Sequence, residues 1–127
     1  MTTKPIMLAS ALFLGISGIM LTFLPNEILG FLNLQSDRKL QLILQILGAL
    51  YFGFAMLNWM TKESRIGGIY NRPIVVSNFA HFLIAALALV KAVFSAPELP
   101  QFFLLLTLAY VIFASLFGIL LFRNPKE

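Results

Sequence analysis

Apolar residues in this chain gather into four long tracts, 6–24, 40–60, 74–94 and 102–122, separated by segments that hold nearly all of the charge. A helix rises about 1.5 Å per residue, so roughly 20 apolar residues are needed to cross a hydrocarbon core. Each tract meets that length. Backbone groups in lipid have no water to bond, which restricts spanning segments to helices or closed barrels. Barrel strands would show as short alternating segments, whereas these tracts are continuous. The pattern therefore predicts an all-α membrane protein, an antiparallel bundle of four transmembrane helices. The first tract has no charge and is bounded by Lys4-Pro5 and Pro25-Asn26-Glu27. It is longer than an ordinary signal-peptide core, and no small-x-small site follows it, so it is read as a retained span.

The connections differ in kind. The run 95–101, SAPELPQ, is short enough to make the third and fourth spans antiparallel neighbours. In 61–72, Gly67-Gly68 allows a tight bend, and Pro73 suits the first turn of the third span, where its missing N–H costs nothing. The first outer connection, NEILGFLNLQSDRK, is too apolar for a free loop and too short to span. It predicts a short helix lying at the interface. No linker, second domain or internal repeat is evident, so residues 1–127 read as a single integral-membrane domain.

Composition agrees. The chain is 60% hydrophobic and 11% charged, with a mean hydropathy of +0.93, against about a quarter charged in soluble domains. The formal charge of +4 needs no nucleic-acid partner, because basic residues normally flank membrane spans. Lys4, Lys62, Arg65, Arg72, Arg123 and Lys126 fall on one side; Arg38, Lys39 and Lys91 fall on or near the other. The positive-inside rule then puts both termini in the cytoplasm. Cysteine is absent, which excludes disulfides, thiolate metal sites and CxxC chemistry.

Helix association in lipid relies on close packing and interhelical hydrogen bonds. Small residues mark the expected contacts: Ala11, Gly15 and Gly18 on the first span, Gly48 and Ala55 on the second, Ala85, Ala88 and Ala92 on the third, Ala114 and Gly118 on the fourth. Packing within the bundle is the expected use of these faces; the alternative is that one of them forms a homodimer. Polar residues share these faces. At about 100° per residue, Asn78 and His81 line up with the alanines of the third span, and Tyr51, Ala55 and Asn58 share one side of the second. Antiparallel spans would put Asn58 and Asn78 at similar depth, with Tyr51 and His81 about one to two turns deeper; the four form a polar cluster in the cytoplasmic half if those faces meet. An ionisable group inside a membrane is a functional candidate; against that, a neutral His81 bonded to Asn58, Tyr51 or a carbonyl would serve only to join helices. Lys91 lies within a turn of its helix end and can snorkel outward. Trp59 and Tyr70 read as interfacial anchors. Arg72 meets either lipid phosphate or an acidic group on a ligand. The candidate ligand-binding residues are thus His81, Asn78, Asn58, Tyr51, Arg72 and Tyr70.

Several chemistries are disfavoured. Glu27, Asp37, Glu63, Glu98 and Glu127 all lie in connections or at an end, which argues against a carboxylate-centred proton relay. A single histidine cannot supply two axial haem ligands from one chain. No metal-ligand cluster is present, and Ser10, Ser17, Ser77 and Ser115 lack a histidine–carboxylate set. Gly67-Gly68 lacks the spacing and the Lys-Ser/Thr of a phosphate loop. No catalytic residues are assigned.

The stretches LPNEILGFLNL, LQILGALYFGFAMLNWMTK and GGIYNRPIVVSNFAHF, in that order, resemble small bacterial four-helix membrane proteins, and more loosely the DoxX-like group. The resemblance covers roughly residues 6–122. It implies a compact four-helix bundle in the bacterial inner membrane. Some DoxX relatives are linked to quinone-coupled oxidation of sulfur compounds, which makes quinone the one cofactor to consider. Three functions remain open: a non-catalytic accessory subunit of a larger membrane complex, or a binder of lipid or another hydrophobic small molecule; a quinone-linked redox subunit in which His81 and Tyr51 bond a quinone carbonyl; and an oligomeric small-solute carrier or channel.

Overall fold

The computed structural model describes residues 3–123; Lys126 and Glu127, counted above, lie outside the described residues. Among the described residues there are five helices: α1 (Lys4–Phe23), α2 (Pro25–Phe31), α3 (Arg38–Met60), α4 (Arg72–Ser95) and α5 (Gln101–Leu121). The four long ones are each long and apolar enough to cross a membrane, and they coincide with the four apolar tracts. The short helix expected in the first connection is α2. The chain is a multi-pass, all-helical membrane protein. Its described residues fall into two compact units, residues 4–63 and residues 64–123 with residue 3.

In the first unit, α1 and α3 form an antiparallel hairpin whose contacts step up one helix as they step down the other. Lys4 pairs with Glu63, Ser10 with Asn58, Gly15 faces Ala55 and Gly18 faces Gly48, and the Thr22 carbonyl accepts from Gln45. The middle of this seam is backbone against backbone. A Cβ on Gly18 would sit 2.8 Å from the Gly48 carbonyl oxygen and from the Phe52 nitrogen; one on Gly48 would sit 2.7 Å from the Gly18 carbonyl. Only glycine at both positions permits the approach, as the small-residue pattern implied.

α2 begins at Pro25, where the missing N–H costs nothing. It ends as Asn33 turns left-handed (φ 61°) and Leu34 N–H donates to the Leu29 carbonyl at 2.8 Å. Leu29 is buried while Phe31 and Leu34 are exposed. A polar clasp spans this connection: the Asn26 side-chain oxygen accepts from Ser36 Oγ at 2.6 Å and from Gln41 Nε2 at 2.7 Å.

In the second unit, α4 and α5 pair antiparallel through the short connection at 96–100. Their seam is aromatic. Phe82 is fully buried and meets Tyr110, Phe113 and Phe117 with ring centroids 5.4, 4.9 and 5.6 Å away. The buried line of α5 is Thr107, Tyr110, Ala114, Phe117 and Leu120. That of α4 is Val75, Asn78, Phe82 and Ala86, not the expected line through Ala85, Ala88 and Ala92; Ala88 is exposed. The helix turns Phe82 inward because aromatic stacking yields far more contact than alanine does.

Adding a methyl at the glycine seam should therefore be costly. Gly18→Ala or Gly48→Ala is expected to destabilise the first hairpin by about 1–3 kcal/mol. Gly53→Ala, where a Cβ would meet nothing within 4 Å, should instead stabilise α3 by about 0.5–1 kcal/mol. Unfolding of the three variants in mixed micelles distinguishes them.

Candidate functional site

Tyr51 and Asn58 belong to the α1–α3 hairpin, and Tyr70, Arg72, Asn78 and His81 to the α4–α5 unit. Asn58 is fully buried. Its Nδ2 donates to Ser10 Oγ at 3.0 Å, and that hydroxyl donates onward to the Met7 carbonyl at 2.9 Å. An amide that would be expensive in hydrocarbon is thereby tied through a serine to the backbone of the neighbouring helix. Tyr51 sits seven residues earlier on α3, half-buried on the same side as Ala55.

Asn78 is also fully buried, and its Nδ2 donates to the Ile74 carbonyl one turn back at 2.9 Å. His81 is half-buried. Its Nε2 lies 3.4 Å from the Tyr110 hydroxyl, at the long end of hydrogen-bonding range. The phenol donates when Nε2 carries no proton, and the ring donates in the other tautomer. The imidazole also meets the Phe82 ring edge-on, with centroids 4.9 Å apart. His81 thus sits at the rim of the aromatic seam, half covered and beside the Tyr110 phenol.

Tyr70 lies in the connection leading into α4, and Arg72 is the first residue of that helix. Gly67 and Gly68 have positive φ, 132° and 58°, and close a turn in which Gly67 and Tyr70 exchange both backbone hydrogen bonds, at 3.0 and 2.9 Å. The Arg65 guanidinium stacks 5.0 Å from the centre of the Tyr70 ring. Arg72 Nη1 donates to the Gly68 carbonyl at 3.2 Å, and Asn71 Nδ2 to the Arg65 carbonyl at 2.6 Å. Trp59, read as an anchor, carries Lys62 Nζ 4.4 Å above its ring.

Two partners were not singled out from sequence. Ser10 stands at i−4 and i−8 to Leu14 and Gly18, on the buried line of α1. Tyr110 is the tyrosine of the fourth apolar tract, one turn beyond Thr107. In each case the available signal was a polar side chain in register with small or buried positions. Among the described residues, no buried side-chain nitrogen or oxygen lacks a hydrogen-bond partner, and no group of three or more His, Cys, Asp or Glu residues is placed to hold a metal.

Outside the spans, Lys4 Nζ lies 2.6 Å from Glu63 Oε1. The hydrogen bond from Lys4, and then its charge, lower the Glu63 pKa below the usual carboxylate range. A depressed carboxylate contributes stability above its unfolded pKa and loses it as pH falls through the folded value. Both side chains are exposed, so the contribution is small. The Glu63 carboxyl should titrate below an ordinary glutamate by NMR, and Lys4→Gln should move its midpoint up. For the buried pair, a double-mutant cycle of Ser10→Ala and Asn58→Leu is expected to give a coupling of about 0.6 kcal/mol, and at most ~1.7 kcal/mol.

Comparison of the chain with protein families, with curated proteins and with solved structures finds no match.

Proposed function

We propose that this chain is a non-catalytic protein of the bacterial inner membrane, with both termini in the cytoplasm, that serves as an accessory subunit or holds a lipid or other hydrophobic molecule. The observation that carries this reading is the disposition of polarity within the spans. Asn58, Asn78 and His81 each have a partner inside their own unit, on Ser10, the Ile74 carbonyl and Tyr110. Side chains engaged in this way join or cap helices, and no set of them forms a nucleophile, base and oxyanion donor. What α3 offers outward is apolar: Ile43, Ile46, Leu50, Leu57 and Met60 are exposed along one stripe, with Gly53 open between them. A lipid chain or an apolar partner helix fits such a stripe. Mild extraction followed by lipid and protein inventory tests the reading. Lipid, quinone or a membrane protein should co-isolate in stoichiometric amount, and a stable chain recovered bare would overturn it.

A second reading, a quinone-linked subunit, draws on the half-buried His81–Tyr110 pair, whose hydroxyl and imidazole could exchange each other for a quinone carbonyl. Equal quinone affinity of the unaltered chain and His81→Ala would remove it.

A further inference from the structure

The charges of residues 64–123 are unevenly placed. Among these described residues, Arg65, Arg72 and Arg123 stand at the end of the α4–α5 hairpin where the 64–71 turn lies, while Lys91 and Glu98 stand toward the other end. The turn is tied to the end of α5. Gly68 N–H donates to the Leu120 carbonyl at 3.0 Å, the same carbonyl that accepts from Arg123 N–H at 3.4 Å. Ile66, fully buried, anchors the turn from below. Arg65, Arg72 and Arg123 are all exposed; within residues 64–123 the described carboxylate is Glu98, toward the other end, while Glu63, two residues before Arg65, is paired with Lys4. Ile69 and Phe122, beside them in the chain, are 76% and 82% exposed.

Exposed apolar side chains interleaved with arginines and a tyrosine suit the boundary between acyl chains and headgroups. Ile69 and Phe122 would enter the acyl region, Tyr70 would sit at headgroup level, and the guanidinium forks match two oxygens of a phosphodiester; anionic and zwitterionic lipids share that group, and a cluster of cations favours the lipid without a headgroup ammonium. The Arg65–Tyr70 stack and the Arg72 bond to Gly68 hold two of the three cations in place before any ligand arrives. We infer that this end of the α4–α5 hairpin binds the headgroup phosphate of an anionic phospholipid, selecting it over zwitterionic lipid. The inference rests on the lipid-binding reading above and names the lipid class.

The test is retention of phosphatidylglycerol against phosphatidylcholine of identical acyl chains by the delipidated, detergent-solubilised full chain, read by native mass spectrometry. The unaltered chain should prefer phosphatidylglycerol. Arg65→Gln with Arg123→Gln, which leaves the Arg72 bond intact, should lower that preference by on the order of tenfold. Arg38→Gln with Lys39→Gln removes the same charge at the start of α3 and should leave it unchanged; circular dichroism confirms that both pairs fold. Inorganic phosphate at matched concentration should displace little lipid. Equal retention of the two lipids, an equal loss in the control pair, full displacement by phosphate, or capture of nucleic acid in place of lipid would each overturn the inference. The two readings fail differently, since lipid retained without headgroup preference sinks only this one, and a bare chain sinks both.

Discussion

Between two helices in hydrocarbon, apolar side chains gain little by exchanging lipid for one another, because lipid tails are as apolar as leucine. Every helix pair in this chain must therefore be held by something other than hydrophobic burial. Two means remain, close packing that raises dispersion contact and hydrogen bonds between polar groups that lipid cannot satisfy. The two units apply them in different proportions.

The α1–α3 hairpin brings backbone to backbone at Gly18 and Gly48 and adds one buried side-chain bond, Asn58 to Ser10, toward the end where Lys4 meets Glu63. Its register is over-determined, because glycine contact, amide bond and ion pair all require the same alignment. The α4–α5 hairpin instead interdigitates large rings around Phe82, and its single glycine contact, Gly118 against the Phe79 ring, makes room for an aromatic rather than for a second backbone. Asn78 Nδ2 bonds back to its own helix, and across the seam His81 Nε2 lies 3.4 Å from the Tyr110 hydroxyl.

These differences bear on where function can reside. Buried polar groups that are already engaged contribute to helix pairing, and the exposed surfaces include an apolar stripe on α3 and a basic, aromatic turn before α4. Both face outward from their own unit. The stripe presents apolar side chains, and the turn presents arginines and a tyrosine. The rigidity of the turn matters here, since Gly67, Gly68 and Ile66 fix the positions from which Arg65 and Arg72 reach out.

The helices, their limits and the short helix between the first two spans were legible in the sequence, because span length and backbone satisfaction in lipid leave few alternatives to a continuous apolar run. Pro73 at the start of α4, the Gly67-Gly68 bend and the small residues at 11, 15, 18, 48 and 55 were legible for the same kind of reason, each being a local steric requirement. Facing was legible only in part. Periodicity gives the angle between residues on one helix but not the rotation of that helix toward its neighbour, which in α4 was decided by Phe82 and not by the alanines. Pairing was least legible: Asn58 and His81 were recognisable as polar groups needing partners, yet many hydroxyls and carbonyls could have answered. The sequence by itself determined that this chain spans a membrane as four helices and where polarity enters them. Only the tertiary structure decided that Ser10 and Tyr110 receive it, because a hydrogen bond depends on tenths of an ångström between helices, and that spacing is set by packing.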